Sequence, residues 1–145
     1  MKEYEINKKF LAKPHIIKYI VYRYIQSKYK IELIQRFVSL KGKKLLDFGS
    51  GSGAFCGYIK ENLENVSFHQ YDPSKPSLKR AHELFGFSKN QMHNDIKKIP
   101  DSYFDIITSW YVYAYVQNKK QFWEILALKL KKDGILFIEV ANPKS

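Results

Sequence analysis

Cysteine is nearly absent, with Cys56 the only one among 145 residues. No internal disulfide can form, and no second thiol is available for a zinc site or a redox pair. Long apolar runs are missing too. The most apolar stretch, Ile16 to Ile25, is broken by Lys18 and Arg23, short of the roughly 18 uncharged residues a membrane span needs. The N terminus lacks the charged-then-apolar pattern and small-residue cleavage site of a secretory leader. These absences lead to the expectation of a cytoplasmic protein with no membrane segment. Arginine is scarce, three residues in all, whereas the net charge is +11. The basic character therefore rests on lysine. No internal repeat, linker or low-complexity tract is visible.

What is present is unevenly spread. Residues 1 to 44 carry 12 Lys and Arg against 3 acids, and residues 45 to 145 carry 13 against 11. A basic N-terminal segment can attract nucleic acid or another anion, but a lysine-rich solvated helix face, favoured by a biased composition, accounts for it equally well. The length suits one domain with a core of its own. We divide it into a basic helical cap over 1–42 and a core over 43–145 that together form one structural unit.

Residues 1 to 13 read as an arm or short helix. From Pro14 to Leu40, Ile17, Ile20, Val21, Tyr24 and Ile25, then Leu33, Ile34, Phe37 and Val38, recur at three- and four-residue spacings, which predicts two helices or one kinked helix. Lys44 to Phe48 reads as a buried strand entering a glycine loop. Phe55, Ile59 and Leu63 lie on one face of the helix that follows, giving the opening of a βαβ unit. Val66 to Tyr71 predicts a second strand, and Ser74, Pro76 and Gly86 bracket a second core helix. Met92 and its neighbours suit a short strand, and Phe104 to Ser109 a longer one. Asn118 with Gln121 resembles a capping box opening a helix through Phe122 to Leu130, closed by Lys131, Lys132 and Gly134. Ile135 to Val140 is the fifth strand. The fold class is α/β, a Rossmann-like three-layer sandwich with a mostly parallel five-stranded sheet and N-terminal helices packed over its mouth.

Asp47, Gly49, Ser50, Gly51 and Gly53 stand where the first strand ends. Glycine lets the chain turn tightly and lets a ligand approach the backbone. The run also satisfies G-x-G-x-x-G/A through Gly49, Gly51 and Ala54, a pattern a plain tight turn can match. Asp47 discriminates between ligands: its carboxylate would repel a pyrophosphate and suits an amino group and a sulfonium. Asp72, 19 residues beyond Gly53, can accept from ribose hydroxyls or simply cap the turn before Pro73.

With these residues in place, the chain resembles a class I S-adenosylmethionine-dependent methyltransferase of the group that modifies small molecules, from about Lys43 to Asn142. The resemblance implies S-adenosyl-L-methionine as cofactor. Its methionine end would lie at Asp47, Gly49, Ser50, Gly51 and Gly53, and its ribose at Asp72 and Pro73. Asn94, Asp95 and Ile96 would meet the adenine, Asp95 accepting from the exocyclic amine. Ser109, Trp110 and Tyr111 would lie beneath the transferred methyl. Lys131 to Gly134 is a looser match, where the family often shows a proline and two glycines.

No catalytic residue is assigned. His15, Tyr111 and Tyr113 are candidates for a base, each also explicable as structural. His69 and His82 read as packing or surface residues, and His93 could line the adenine loop. No two histidines are spaced as zinc ligands. Trp110, Tyr111, Tyr113 and Tyr115 form either a substrate pocket or a core stripe. The family's sheet continues past the fifth strand with a helix and an antiparallel hairpin that this sequence does not include, so its C-terminal part is short. The strand at 135–140 is thus expected to be an open edge at which the protein self-associates or takes a partner, unless the N-terminal helices cover it. The expected activity is methyl transfer to an unidentified acceptor, with anionic acceptors among the options. The alternative is a non-catalytic S-adenosylmethionine- or nucleic-acid-binding module that needs a partner chain.

Overall fold

The computed structural model describes residues 14–142, so the expected arm over 1–13 lies outside the described residues. Pro14 opens α1, Pro14–Gln35, a single helix of 22 residues. Its ring sits where the N–H has no helical partner anyway. No glycine or proline follows before Gly42, so nothing kinks the helix, and the expected break does not occur. Ile20, Ile31 and Ile34 are buried, whereas Ile25, Leu33 and Phe37 are exposed. Only one of the helix's apolar faces meets the core.

The core elements are β1 (Lys44–Phe48), α2 (Ala54–Asn62), β2 (Ser67–Tyr71), α3 (Lys75–Phe85), β3 (Met92–His93), β4 (Phe104–Trp110), α4 (Lys119–Lys129) and β5 (Leu130–Glu139), with short 3₁₀ turns at Lys89–Gln91, Ile96–Lys98 and Tyr113–Tyr115. The five strands form one sheet in the order β3-β2-β1-β4-β5, and every pairing is parallel. Strand order reverses between β1 and β4. In such sheets a crevice opens at the carboxyl ends of the two strands flanking the reversal.

Local signals set most boundaries. Ser74 caps α3 by accepting from the Ser77 amide at 3.3 Å, and Gly86 ends it at φ 63°. Asn118 caps α4 by accepting from the Gln121 amide at 3.0 Å. The expected end of α4 is not observed. The helix stops at Lys129, and Leu130 to Gly134 already belong to β5. Leu130 pairs with Phe104 ahead of a register shift, and the Lys131 ammonium donates to Asp105 at 2.8 Å. A Cβ on Gly134 would lie 2.6 Å from Leu130 Cδ1, so this glycine answers crowding within the strand rather than a helix terminus. The helix end is held instead by the Lys129 ammonium, which donates to the Ile99 carbonyl at 2.7 Å and to Asp101 at 2.6 Å.

One side of the sheet buries Leu45, Phe68, Ile106 and Trp110 with Phe55, Ile59 and Phe85 and with Ile20, Ile31 and Ile34 of α1. The other buries Leu46, Phe48, Phe104 and Ile107 against Phe122 and Leu126 of α4. Each such side chain contributes roughly 1.5–3 kcal/mol on burial. Because α1 supplies three of them, it is fixed to the sheet and can form a wall of the crevice.

Candidate functional site

At the ends of β1 and β4 a cleft of about 170 Å³ lies between the glycine loop and α1. It brings together Asp47, Gly49, Ser50 and Gly51 from the loop and Trp110 and Tyr111 from the end of β4. The sequence links both groups to one ligand. Asp72, just past β2, does not line the cleft but is tied to its loop: its carboxylate accepts from the Gly51 amide at 2.8 Å and from the Ser74 amide at 2.9 Å. Gly53, Pro73 and Ser109 stand beside the cleft without lining it. Asn94, Asp95 and Ile96 lie past β3, where Asp95 accepts from the Lys97 amide at 3.0 Å and opens a 3₁₀ turn.

The glycine loop turns its amides inward. The N–H groups of Gly49 and Ser50 donate to the Tyr71 carbonyl at 2.7 and 3.0 Å, that of Gly51 to Asp72, and that of Gly53 to the Ser50 carbonyl at 3.0 Å. Phosphate-binding loops instead present such donors to the anion. Gly49 adopts φ +79° and is closed over by Val112, whose Cγ2 would lie 2.3 Å from an added Cβ. Nothing stands within 4 Å of a Cβ on Gly51, which leaves its backbone open to a ligand.

Asp47 forms the floor. It is 2% exposed, and the Thr108 hydroxyl donates to it at 2.9 Å. Burial pushes its carboxyl up to about 6, against the downward pull of Thr108, Lys30 and Arg23. An acid held near neutrality in a cleft suits an incoming ammonium, which would restore its charge. The Ser50 and Ser109 hydroxyls and the Trp110 indole nitrogen are buried with no hydrogen-bond partner among the described residues. Buried polar atoms are rarely left so. These orphan groups, the open Gly51 backbone and the acidic floor fit a polar ligand with a cationic end.

Tyr111 is a strained residue with φ 60°, a conformation that costs a bulky side chain of order 1–3 kcal/mol. Glu139, the last residue of β5, fixes it twice: its carbonyl accepts from the Tyr111 amide at 2.8 Å and its carboxylate from the phenol at 2.6 Å. The hydrogen bond to Glu139, with burial, raises the phenol above its ordinary range. In this structure the Tyr111 phenol is a donor to Glu139. Tyr113 packs on Phe122 and Trp123. His15 does not line the cleft. His82 meets the Phe87 carbonyl at 2.7 Å, and His69 pairs with His93 at 3.0 Å.

The residues not assigned from sequence are on α1. Tyr19, Arg23, Ser27 and Lys30, one helical face, line the cleft opposite the glycine loop. Lys30 lies 3.2 Å from Glu139 and 4.5 Å over the Trp110 ring; burial, then Arg23, lowers its pKa. Tyr19, Arg23, Ser27 and Lys30 recur at intervals of four, four and three, but Lys18, Gln26, Lys28 and Glu32 stand elsewhere on the same helix, so the spacing alone does not single out this stripe.

A parallel sheet with its crevice at the β1/β4 reversal, an acid under a glycine loop and a second acid at the end of β2 define a class I methyltransferase fold. Residues 22–145 match the family model described as a methyltransferase domain, and the chain belongs to that family. An uncharacterised protein of Haemophilus influenzae is 27% identical over 125 residues, 79% of this chain and 48% of the relative. The chain thus spans about half the length of the curated relative it matches. A candidate S-adenosyl-L-methionine-dependent methyltransferase from Methanococcus maripaludis superposes with a TM-score of 0.70 at 21% identity, over 97% of this chain and 68% of that one. The plantazolicin methyltransferase BpumL, solved in complex with a pentazolic desmethylPZN analogue and SAH, gives 0.62 at 20% identity over 95% of this chain and 52% of that one. Among the described residues, no helix is long and apolar enough to cross a membrane.

Proposed function

We propose that the chain binds S-adenosylmethionine in this cleft and transfers its methyl group to an acceptor. The observation that carries this reading is the pairing of an acidic floor, Asp47, with a glycine loop whose amides are already spent on Tyr71 and Asp72. The same strand-loop-helix arrangement would bind a dinucleotide only if those amides faced a pyrophosphate.

Asp47 would take the amino group, and Gly49 and Gly51 would let the methionine end lie against the backbone. Each Asp72 oxygen already accepts one backbone N–H, which orients the carboxylate and leaves lone pairs for the ribose hydroxyls. Asn94, Asp95 and Ile96 would meet the adenine at the end of β3, Ser109 and Trp110 would support the methyl-bearing end, and Tyr111 would wall it. When bound, S-adenosylmethionine supplies an electrophilic methyl: the acceptor's lone pair forms the new bond to carbon while the C–S pair returns to sulfur, leaving a neutral thioether. The chain's part is positioning. Trp110 and Tyr111, locked by Glu139, and α1 across the opening would hold the acceptor in line and limit water, a contribution that alone can be large. Tyr111 donates its phenol proton to Glu139 at 2.6 Å, and no base is assigned.

Calorimetry with S-adenosylhomocysteine and NAD tests the reading. Micromolar affinity for the former and at least tenfold weaker binding of NAD is expected. An Asp72→Ala change should weaken binding by about tenfold or more, from roughly 1.5–3 kcal/mol per lost charged hydrogen bond. Tighter binding of NAD would reject it.

A further inference from the structure

A second hollow adjoins the cleft. A groove of about 340 Å³ runs between α1 and the end of β5, and Lys30 and Trp110 line both it and the cleft. These two residues form a common wall, with the Lys30 ammonium 4.5 Å from the Trp110 ring centre. The two hollows differ in character. Where the cleft has Asp47, serines and the glycine backbone, the groove has Tyr29 and Leu33 of α1 and Phe137 and Ile138 of β5. Its charged groups are engaged with each other: Lys30 stands 3.2 Å from one oxygen of the Glu139 carboxylate, whose other oxygen accepts from the Tyr111 phenol at 2.6 Å. A wall that is neutral as a whole offers a charged ligand nothing to offset its desolvation. The groove therefore suits an uncharged, largely apolar occupant.

Two polar atoms of its lining narrow the chemistry. The Gln26 side-chain nitrogen donates to the Tyr22 hydroxyl at 2.7 Å, while the Gln26 oxygen is buried with no hydrogen-bond partner among the described residues. The Trp110 indole N–H is unpartnered as well, on a side chain that is only 7% exposed. The cofactor end proposed to lie at Trp110 is the sulfonium, which is positively charged and accepts no hydrogen bond. The indole N–H is thus left for another molecule. One of these atoms is an acceptor and the other a donor, and a hydroxyl group can serve either. Size sets a further limit, because a cavity of ~150 Å³ holds one benzene ring. The groove has room for about two.

Resting on the function proposed above, we infer that this groove is the methyl-acceptor site, and that the acceptor is an uncharged aromatic molecule of about two rings bearing a hydroxyl group. It would lie against Trp110, on the other side of the wall from the methionine end of the cofactor. The probe is β-naphthol, uncharged at neutral pH, read through the indole N–H resonances of the chain's two tryptophans. Trp123→Phe assigns them, since Trp123 packs on Tyr113 and Phe122 and does not line the groove. β-Naphthol should shift the Trp110 resonance saturably and that of Trp123 little, with or without S-adenosylhomocysteine. It should bind at least about fivefold more tightly than β-naphthoate or the naphthylmethylammonium ion, which keep the two rings and add a charge. Leu33→Trp, at a rim position 43% exposed, should fill the groove and weaken β-naphthol by about tenfold or more. Gln26→Leu, which keeps the size and removes the orphan oxygen, should weaken it by about threefold or more. Both variants should still bind S-adenosylhomocysteine, because neither residue lines the cleft. In the ternary complex the naphthol ring protons should show a nuclear Overhauser effect to the methylene protons beside the S-adenosylhomocysteine sulfur. Preference for either ion, or unchanged binding by Leu33→Trp, would overturn the inference. So would competition between the two ligands, which would give the groove to the cofactor, or absence of that Overhauser effect, which would put the occupant out of reach of the methyl. Failure of the wild-type protein to bind S-adenosylhomocysteine would instead strike the proposed function, while the Trp110 shifts without that ligand would still show whether the groove takes an uncharged aromatic molecule.

Discussion

The Thr108 hydroxyl donates to the buried carboxylate of Asp47 at 2.9 Å, tying β4 to β1 directly under the glycine loop. One hydrogen bond does not compensate for full burial, so the Asp47 pKa stands at about 6 rather than 3.8. The fold therefore favours the neutral acid. Its stabilising contribution is complete below the unfolded pKa and is lost as pH rises through about 6, a swing of roughly 3 kcal/mol at 1.36 kcal/mol per unit. An ammonium-bearing ligand needs the ionised form. S-adenosylhomocysteine should bind about tenfold more tightly at pH 7.5 than at pH 5, since only about a tenth of such an acid is ionised one unit below its pKa. Calorimetry at both values checks this. Asp47→Asn should bind weakly with a flat pH profile, while its ligand-free melting temperature at pH 8 matches or exceeds that of the wild type.

A second titrating device acts in the opposite direction. His69 Nδ1 and His93 Nε2 lie 3.0 Å apart with stacked rings, so one must donate and the other accept. The Tyr103 and Phe104 rings close over His69. Burial, then the His93 charge, lowers His69, with Lys44 adding to the effect and an Asn90 backbone hydrogen bond opposing it; burial lowers His93. The neutral pair is the folded form. Its stability is present above the ordinary pKa of 6.5 and is lost as pH falls below it. Since β3 has only two residues, this pair is a main tie to β2. In an Asp47→Asn background, which removes the opposing effect, urea stability should fall from pH 7.5 to pH 5. A further His93→Phe change, which keeps a ring but not the hydrogen bond, should reduce that dependence.

Gly49 is constrained twice, by φ +79° and by Val112 Cγ2, which would stand 2.3 Å from an alanine methyl at this position. Gly49→Ala should cost about 2–5 kcal/mol, combining overpacking of about 1–3 kcal/mol with left-handed strain of about 1–2 kcal/mol. The two causes can be separated by a double-mutant cycle. In a Val112→Ala background the steric part should vanish and the conformational part remain, giving a coupling of at least about 1 kcal/mol in denaturant melts. Additive costs would mean that Val112 does not limit the loop.

Whether a feature is legible in the sequence depends on whether its cause is local. β1 is found at Lys44–Phe48 as its composition and the following glycines suggest, and Ser74, Gly86 and Asn118 act as caps within a few residues of themselves. The α4–β5 junction is misleading because Lys131, Lys132 and Gly134 imitate a helix terminus, whereas the pairing of Leu130 with Phe104 and the Lys131–Asp105 contact depend on a strand distant in sequence. The site shows the same division. Asp47, the loop glycines and Asp72 are legible as a motif. Arg23 and Lys30 are not, because α1 carries apolar and aromatic residues almost all round, with Tyr22, Ile25 and Tyr29 left exposed, and only packing decides which face turns inward. Glu139 gives no signal at all, being an isolated acid at the end of a strand whose partners, Lys30 and Tyr111, lie far away in sequence.

The outer edge of β5 gives the last prediction. Among the described residues β5 pairs with β4 alone, and all of Ile135 to Glu139 are only half-buried. The Glu139 carbonyl accepts from the Tyr111 amide on the β4 side. In a parallel strand the N–H and C=O of one residue point the same way and alternate along the chain. Ile135 and Phe137 therefore direct their amides to β4, and Leu136 and Ile138 direct theirs outward. α1 and the turn after it cover this strand on one face only, through Lys30 of α1 against Glu139 and Phe37 of the turn against Phe137, and so do not satisfy the edge. In dilute solution the Leu136 and Ile138 amides should exchange much faster than those of Ile135 and Phe137. Because an unprotected edge invites pairing, raising the concentration should slow exchange at Leu136 and Ile138 in step with a rise in sedimenting mass. Replacing Ile138 by Lys, a charge of the kind that blunts natural edges, should keep the protein monomeric at every concentration without slowing those amides. Slow exchange at all four positions in a monomer would show that the edge is covered within the chain, and self-association through β5 would then be ruled out.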